Sequence, residues 1–196
     1  MRKTSEKSEN LEHENLDNEL IVLPLDETDD LSSFNCESEE LNDFLKTNAW
    51  ADQKNLVNRT RLCFCDGDLA GFYSLAADTI ETKSVIDGIV SYQYRKYPAV
   101  KIARLAIDSR FERRGIGTFL MKIILAQVVS ICDNIGCRYL LVDSKLASTG
   151  FYEKFEFKVA EKNQKTDFVR CTLICNHMYE NKRQCVNFFV NSFYIH

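Results

Sequence analysis

The amino-acid sequence predicts an α/β (α+β) fold with a central sheet flanked by helices. The chain has 196 residues and is 45% hydrophobic, so it can bury a single core. Residues 103–119 pass from a short apolar run through a polar turn and a glycine- and arginine-containing loop into an amphipathic helix. The chain then continues with the pattern of a strand, a short helix and a further strand. This alternation indicates helices packed on a sheet.

The N-terminal part of this domain begins with one strand and one helix. Residues 20–25 form an apolar strand, which Pro24 and an acidic turn bring to an end. Residues 38–50 predict a helix, because their spacing brings four apolar residues to one face: Leu41, Phe44, Leu45 and Ala49. Ser38 is its predicted N-cap.

A hairpin and a longer strand follow. The hairpin turns at Asp66-Gly67, a strong turn signal, and its strands are residues 61–65 and 69–76. Residues 92–97 predict a loop that leads through Pro98 into a fourth strand, whose last residues are 101–107. These elements place the glycine-containing loop directly after the fourth strand.

The C-terminal elements begin with the amphipathic helix, which starts at Ile116 and ends near residues 134–136. Its apolar stripe, interrupted only by the polar Gln127, consists of Ile116, Phe119, Leu120, Ile123, Ile124, Val128 and Ile131. The remaining segments predict, in chain order, a buried strand, a short helix and two further strands at residues 139–142, 147–155, 157–160 and 168–175.

The loop between the fourth strand and this helix has the composition of a pyrophosphate site. Unpaired N–H groups and the positive end of the helix dipole attract an anion there, and glycine allows close backbone approach. The loop contributes Arg113, Arg114, Gly115 and Gly117. It lacks the third glycine of a dinucleotide site and the Gly-Lys-Ser/Thr of a P-loop. An ordinary strand-to-helix turn is the structural alternative.

Three segments of this chain resemble the Gcn5-related N-acetyltransferase (GNAT) family: residues 104–108, 112–117 and 150–157. The resemblance implies a GNAT fold with a mixed, mostly antiparallel sheet of six to seven strands. It implies acetyl-CoA as co-substrate and no metal. The acetyl-CoA-binding residues that it implies are Leu105, Ala106, Ile107, Arg113, Arg114, Gly115, Ile116, Gly117, Thr118 and Phe151.

The chain departs from the family pattern at two positions. Glu112 stands where the family usually has Gln or Arg, which brings a negative charge next to the phosphate site. Glu156 precedes Phe157 where the family usually has glycine. Neither change removes a backbone donor, so we expect acetyl-CoA binding to be retained.

A narrower resemblance, to the toxin branch of this family, rests on residues 34–45, 71–77 and 140–145. Those toxins acetylate the α-amino group of aminoacyl-tRNA and are neutralised by a small DNA-binding antitoxin. The resemblance implies the same acceptor and partner here. Two alternatives stay open: an acetyltransferase for a small amine, peptide or protein, and a non-enzymatic module that binds coenzyme A or a protein.

The family resemblance implies that the Phe151-Tyr152 pair flanks the departing sulfur, and this makes Tyr152 the candidate catalytic residue. A core aromatic with a hydrogen-bonded hydroxyl is the structural alternative. A phenol is neutral at pH 7 and can donate a proton to the departing thiolate. A backbone N–H near Ile107 would stabilise the oxyanion. Strand residues 101–107 contain no Glu or His to act as a base. Because an α-amino group of pKa 7.7–8.0 is already partly neutral at pH 7, the missing base favours an α-amino acceptor over a lysine.

Charge is distributed unevenly along the chain. Residues 1–30 contain 10 acidic and 3 basic residues, which leaves 22 basic and 19 acidic residues for 31–196. We predict an acidic, flexible extension over residues 1–18, the acetyltransferase domain over 19–180, and an apolar tail of unknown packing over 181–196. The modest positive charge of the domain is compatible with a tRNA substrate or with an ordinary solvated surface.

No secretory signal is evident, and no apolar run approaches the eighteen or so residues of a transmembrane helix, so we expect a cytoplasmic protein without membrane contact. A homodimer is compatible with the sequence, which leaves the oligomeric state open.

Eight cysteines occur, and none is spaced Cys-x-x-Cys. Free buried thiols are therefore expected, as is usual in the cytosol. Cys171, Cys175 and His177 together form a zinc candidate that lacks an evident fourth ligand.

Overall fold

A computed structural model of the chain describes residues 19–85, 88–89, 91–162 and 168–175. These residues contain one seven-stranded sheet of order β1-β2-β3-β4-β5-β7-β6. The strands are β1 (Leu20–Pro24), β2 (Arg59–Cys65), β3 (Asp68–Glu81), β4 (Lys96–Ile107), β5 (Tyr139–Lys145), β6 (Lys158–Lys162) and β7 (Phe168–Ile174). All neighbouring strands are antiparallel except the parallel pair β4 and β5. The predicted mixed, mostly antiparallel sheet is confirmed.

The helices are α1 (Glu39–Asp43), α2 (Ala49–Lys54), α3 (Ile116–Asn134) and α4 (Thr149–Glu153), and a π-helical turn, Phe44–Asn48, joins α1 to α2. Ser38 occupies the N-cap position of α1, but its side chain makes no capping hydrogen bond. Glu39 and Glu40 lie in the first turn instead, where their charges favour the helix dipole.

The β2–β3 hairpin turns where the sequence predicts. Asp66 and Gly67 have φ angles of 52° and 87°. Two positive φ angles in sequence are typical of the tight type I′ turn, whose twist matches that of the flanking strands.

The predicted loop at residues 92–97 is wrong at its end, because β4 already begins at Lys96. Tyr97 pairs with Ile80 of β3 and is 1% exposed. Its ring stacks on Tyr92 at 4.1 Å and meets Tyr139 edge-on at 5.5 Å. Packing of these three aromatic rings stabilises an extended backbone at Tyr97 in place of the predicted loop.

Helix α3 packs on the main core with its predicted apolar stripe. Ile116, Leu120, Ile124 and Val128 are all 1% exposed or less. Gln127, the polar position in the stripe, accepts a 2.8 Å hydrogen bond from the hydroxyl of the fully buried Tyr73. The polar residue therefore satisfies a buried donor of β3.

The expectation that no segment reaches transmembrane length is wrong for α3. Its 19 residues are long and apolar enough to cross a membrane by length and composition. In the structure its apolar stripe faces the sheet, as in the core helix of a globular domain. The predicted extension (1–18) and the predicted tail (181–196), which contains Cys185, lie outside the described residues, as does His177.

Glu156 adopts the left-handed backbone conformation that favours glycine, with φ of 66°. This is one of the two positions where the sequence departs from the family pattern. A non-glycine residue in this region lowers the free energy of unfolding by about 1–2 kcal/mol through strain. Glycine removes that strain, but it loses more conformational entropy on folding, which offsets about 0.5–1 kcal/mol of the gain. We expect Glu156→Gly to raise the free energy of unfolding by about 0.5–1 kcal/mol in urea denaturation. Glu153→Gly, in α4, is the matched control and should lower it by about 1 kcal/mol.

Candidate active site

A gap in the sheet between β4 and β5 forms the candidate site. The two strands pair only from Ala99–Tyr139 to Ile102–Val142, although both continue further. The register between β3 and β4 shifts at this point, so that Ala103 forms a bulge. A bulge bends and twists its strand. No described residue pairs with the β5-facing edge of β4 beyond Ile102, and a cavity of about 570 Å³ opens there.

Three parts of the chain line this cavity. β4 and the residues after it contribute Lys101 to Ile107, Glu112 and Arg113. The start of α1 contributes residues 36–38, 40 and 41, and β5 contributes residues 142–145. Ser148, Tyr152 and Phe168, from outside these three parts, complete the wall. Of the predicted site residues, the cavity therefore brings together Leu105, Ala106, Ile107, Arg113 and Tyr152.

The remaining predicted residues cluster at the adjoining N-terminus of α3. Gly115 is its N-cap, with φ of 79°, and no side chain caps the helix. The N–H of Phe119 bonds to the Gly115 carbonyl at 3.0 Å, and the preceding N–H groups of the helix have no intrahelical partner. The first turn contains no acidic residue. These donors and the helix dipole are suited to a phosphate group.

The side chains of this cluster have different surroundings. Ile116 is buried in the core, so only its backbone N–H can serve the site. The Phe151 ring lies beside Gly117, where an added Cβ would stand 3.5 Å from Phe151 Cε2. Arg114 lies over the ring of Phe111 at 5.3 Å, while Thr118 is exposed.

Asp108 anchors the start of the loop. It is fully buried and accepts hydrogen bonds from the Asn35 N–H at 2.8 Å, from the Arg110 N–H at 2.9 Å and from Arg110 Nε at 2.8 Å. Burial alone would raise the pKa of this carboxyl, but the hydrogen bonds from Arg110 and Asn35 outweigh it and hold the pKa below its ordinary value. The carboxylate thereby ties the α1 side of the cavity to the phosphate loop.

We expect Asp108→Asn to lower the free energy of unfolding by about 3 kcal/mol, because an amide cannot accept all three bonds and has no charge. A carboxyl whose pKa is lower in the folded state stabilises above its unfolded pKa and loses that effect as pH falls. The difference in the free energy of unfolding between wild type and variant should therefore become smaller below about pH 4. Urea denaturation at pH 7 and pH 3.5 tests this. Asp43→Asn, at an exposed position, should leave the free energy of unfolding unchanged at both pH values. If Asp108→Asn lowered the free energy of unfolding equally at both pH values, the charge-based account would be contradicted.

Tyr152 is held rigidly at the cavity wall. It is 8% exposed, and its ring meets Phe151 and Phe157 edge-on at 5.2 Å and 5.6 Å. No described residue hydrogen bonds to its hydroxyl. Burial, with a smaller contribution from Cys171, raises its pKa to about 12. The phenol therefore remains protonated at neutral pH and is available as a donor.

An ion network that the sequence reasoning missed lies on the floor of the cavity. Asp143 contacts Lys101 Nζ at 2.6 Å and Arg170 Nε at 2.7 Å. Burial opposes ionisation of Asp143, but the hydrogen bonds from Arg170 and Lys101 lower its pKa overall. Asp143 lies in the segment 140–145 that carries the toxin resemblance, but its partners come from other strands. Glu37 and Glu40, at the start of α1, were also missed as cavity residues.

The bend in β4 lies earlier than expected. Ile107, near which the oxyanion donor is predicted, pairs with Gly71 of β3, and the irregularity lies at Ala103. Both residues line the cavity. The position of a bulge depends on strand register, which local sequence does not encode.

Comparison with known proteins agrees with this geometry. A family model described as an acetyltransferase (GNAT) domain matches residues 30–173. A tRNA-acetylating toxin of Mycobacterium tuberculosis is 27% identical over 137 residues, which are 69% of this chain and 82% of the relative.

Two solved structures share the fold. One is a bacterial toxin, with TM-score 0.78, 15% identity, and coverage of 85% of this chain and 96% of the other. The second is AtaT complexed with acetyl-methionyl-tRNAfMet, with TM-score 0.72, 22% identity, and coverage of 82% and 98%. The family model spans most of the chain, including the gap, the phosphate loop and Tyr152. The chain therefore belongs to the GNAT family of acetyltransferases.

Proposed function

We propose that this enzyme transfers the acetyl group of acetyl-CoA to the α-amino group of aminoacyl-tRNA. Acetyl-CoA supplies an acyl group already activated as a thioester. The uncapped N-terminus of α3 would hold its pyrophosphate, and the open edge of β4 would align the rest of the molecule along the gap. The acetyl group would then lie in the cavity beside Tyr152.

Tyr152 stabilises the leaving group in this proposal. Nitrogen attack forms the amide bond, the carbon–sulfur bond breaks, and its electron pair remains on sulfur. The phenol donates a hydrogen bond to that sulfur, and the amine releases its proton to solvent, which protonates the thiolate. The pKa of the phenol is about 12, which lies about 3.5 above the pKa of a free thiol. Full transfer of the phenol's proton to the thiolate is therefore unfavourable. Its main contribution is therefore the hydrogen bond, and no metal enters the step.

The carboxylate in the ion network is the observation that carries the choice of acceptor. Asp143 is engaged by two cations and has a lowered pKa, so it is a weak base. Neither β4 nor β5 supplies another carboxylate, and Glu37, Glu40 and Glu112 reach the cavity from its α1 side and from the loop after β4. The strands therefore offer no free base, which suits an amine that is already neutral, and an α-amino group next to an ester is neutral to a larger degree than a lysine. The similarity to a tRNA-acetylating toxin supports the same acceptor.

The test offers acetyl-CoA with charged tRNA, small amines and N-terminal peptides as parallel acceptors. We expect release of coenzyme A thiol and a mass increase of one acetyl group on the aminoacyl-adenosine that nuclease digestion liberates. Tyr152→Phe serves as the control for turnover. Acetylation of peptides or small amines alone would overturn the aminoacyl-tRNA proposal and assign the enzyme to those acceptors.

The raised pKa of Tyr152 leads to a pH prediction. Catalysis needs the protonated phenol, which an ordinary tyrosine loses near pH 10 and Tyr152 loses near pH 12. We expect kcat to show no falling limb between pH 8 and about pH 11 when a hydrolysis-resistant amide analogue of aminoacyl-adenosine is the acceptor. A decline centred near pH 10 would contradict the assignment.

The same proposal includes a partner, a location and domain limits. A small DNA-binding antitoxin is the partner that the toxin resemblance implies, and the tRNA substrate implies action in the cytoplasm. We assign residues 19–180 to the catalytic domain and residues 1–18 and 181–196 to its flanking segments. Growth arrest on expression of the chain, relieved by coexpression of its antitoxin, is the expected result in cells.

A further inference from the structure

We propose that Cys132, Cys137 and Cys175 form a binding site for a thiophilic divalent cation, with zinc as the expected ion. Their three sulfur atoms lie within 4.8 Å of one another. The sulfurs of Cys137 and Cys175 are 3.9 Å apart. Zinc–sulfur bonds of about 2.3 Å in a tetrahedron place their sulfurs about 3.8 Å apart. The observed cluster therefore needs only small side-chain rotations to close around one ion.

Three separate elements hold these residues in place. Cys132 lies in the last turn of α3, which the Ile135 N–H closes on the Ile131 carbonyl at 2.9 Å. Cys137 lies in the loop before β5, and Cys175 directly follows β7. The Cys175 N–H bonds to the Arg138 carbonyl at 2.9 Å, which ties the loop to the end of β7. The site is thus built on backbone that is already fixed, as a metal site requires.

The chemistry of the cluster fits a soft metal. Thiolates select zinc, copper(I) or iron–sulfur clusters, whereas calcium and magnesium prefer oxygen. Binding one Zn²⁺ to three thiols releases three protons and involves no change of oxidation state. The described residues supply three ligands, and solvent can complete the tetrahedron because Cys132 and Cys137 are only half-buried.

The site is separate from the catalytic centre. Cys132 lies 16 residues after Ile116, so about 24 Å of helix separates the cluster from the phosphate loop. An ion there would join the end of α3, the following loop and the end of β7. We therefore assign it a structural role. The sequence analysis grouped Cys175 with Cys171 and His177, whereas the structure groups it with Cys132 and Cys137. These three cysteines do not have close zinc-ligand spacing in the chain, and His177 lies outside the described residues.

The first measurement is the zinc content of the full chain, purified with reductant on a tag that binds no metal and dialysed against zinc and then against zinc-free buffer. We expect inductively coupled plasma mass spectrometry to find about one zinc ion per chain. Cys132→Ser/Cys137→Ser should retain less than a tenth of that amount. Cys63→Ala, which removes a buried thiol of β2 outside the cluster, should retain all of it.

Cobalt(II) provides a second readout that does not depend on folding of the variants. In the unmutated chain, thiolate-to-cobalt charge transfer and intense visible bands should appear together, as expected for a tetrahedral sulfur-rich site. Weak bands of an octahedral ion, or equal zinc in the double-serine variant, would overturn the proposal. A sample that was purified with reductant and still has an intact mass two hydrogens lower, with Cys137 and Cys175 in one disulfide-linked peptide, would overturn it in favour of a disulfide.

Discussion

Replacing Tyr152 with phenylalanine should lower kcat by about 10²–10⁴-fold, the usual contribution of a positioned acid or donor. Phenylalanine keeps the ring that packs between Phe151 and Phe157, so the cavity wall should remain in place. The dissociation constant for acetyl-CoA should stay within about twofold, because we propose that the phosphates bind at the N-terminus of α3 and not at Tyr152. Steady-state kinetics and calorimetric binding separate the two effects.

The exposed Tyr94 supplies the matched control for this substitution. Tyr94→Phe removes a hydroxyl from the same kind of side chain at a position that does not line the cavity, and it should leave kcat unchanged. A normal kcat for Tyr152→Phe would show that Tyr152 is not the donor to the leaving group. A rise in KM without a change in kcat would reassign it to binding.

Gly117→Glu should abolish measurable acetyl-CoA binding. Gly117 lies at the uncapped end of α3, and the phosphate would have to approach its backbone closely. A glutamate there adds bulk against Phe151 and sets a negative charge beside the phosphate at the positive end of the helix dipole. Calorimetric titration with acetyl-CoA should show a loss of at least about 100-fold in affinity.

Two further substitutions separate bulk from charge at this position. A Cβ at Gly117 would meet Phe151 only at ordinary contact distance, so Gly117→Ala should fold normally and retain most affinity. Gly117→Gln has the size of glutamate without the charge, and its affinity should fall between those of Ala and Glu. Equal affinity of the Gln and Glu variants would show that electrostatics play no part, and unchanged affinity in all three would place the pyrophosphate elsewhere.

The phosphate loop and α3 illustrate what local sequence can predict. Gly115, Gly117 and the apolar stripe after them are close together in the chain, and a helix that starts at Ile116 follows directly from their spacing. The turn at Asp66-Gly67 is equally local. Each of these predictions needs only backbone sterics and helical or strand periodicity.

The ion network and the thiol cluster illustrate what local sequence cannot predict. Lys101, Asp143 and Arg170 belong to three different strands, and their contacts depend on the register of β4, β5 and β7. Cys137 and Cys175 are 38 residues apart in the chain and meet only because β5 and β7 are neighbours.

The sequence by itself therefore determined the fold class, the phosphate loop and the choice of Tyr152 as a candidate acid, because local spacing or a family motif encodes each of them. Only the tertiary structure decided where β4 and β5 separate, that β4 bulges at Ala103, and which charges face the cavity. These features arise from strand order, register and packing between distant segments, and a one-residue change in register would move every side chain of a strand to the other face of the sheet.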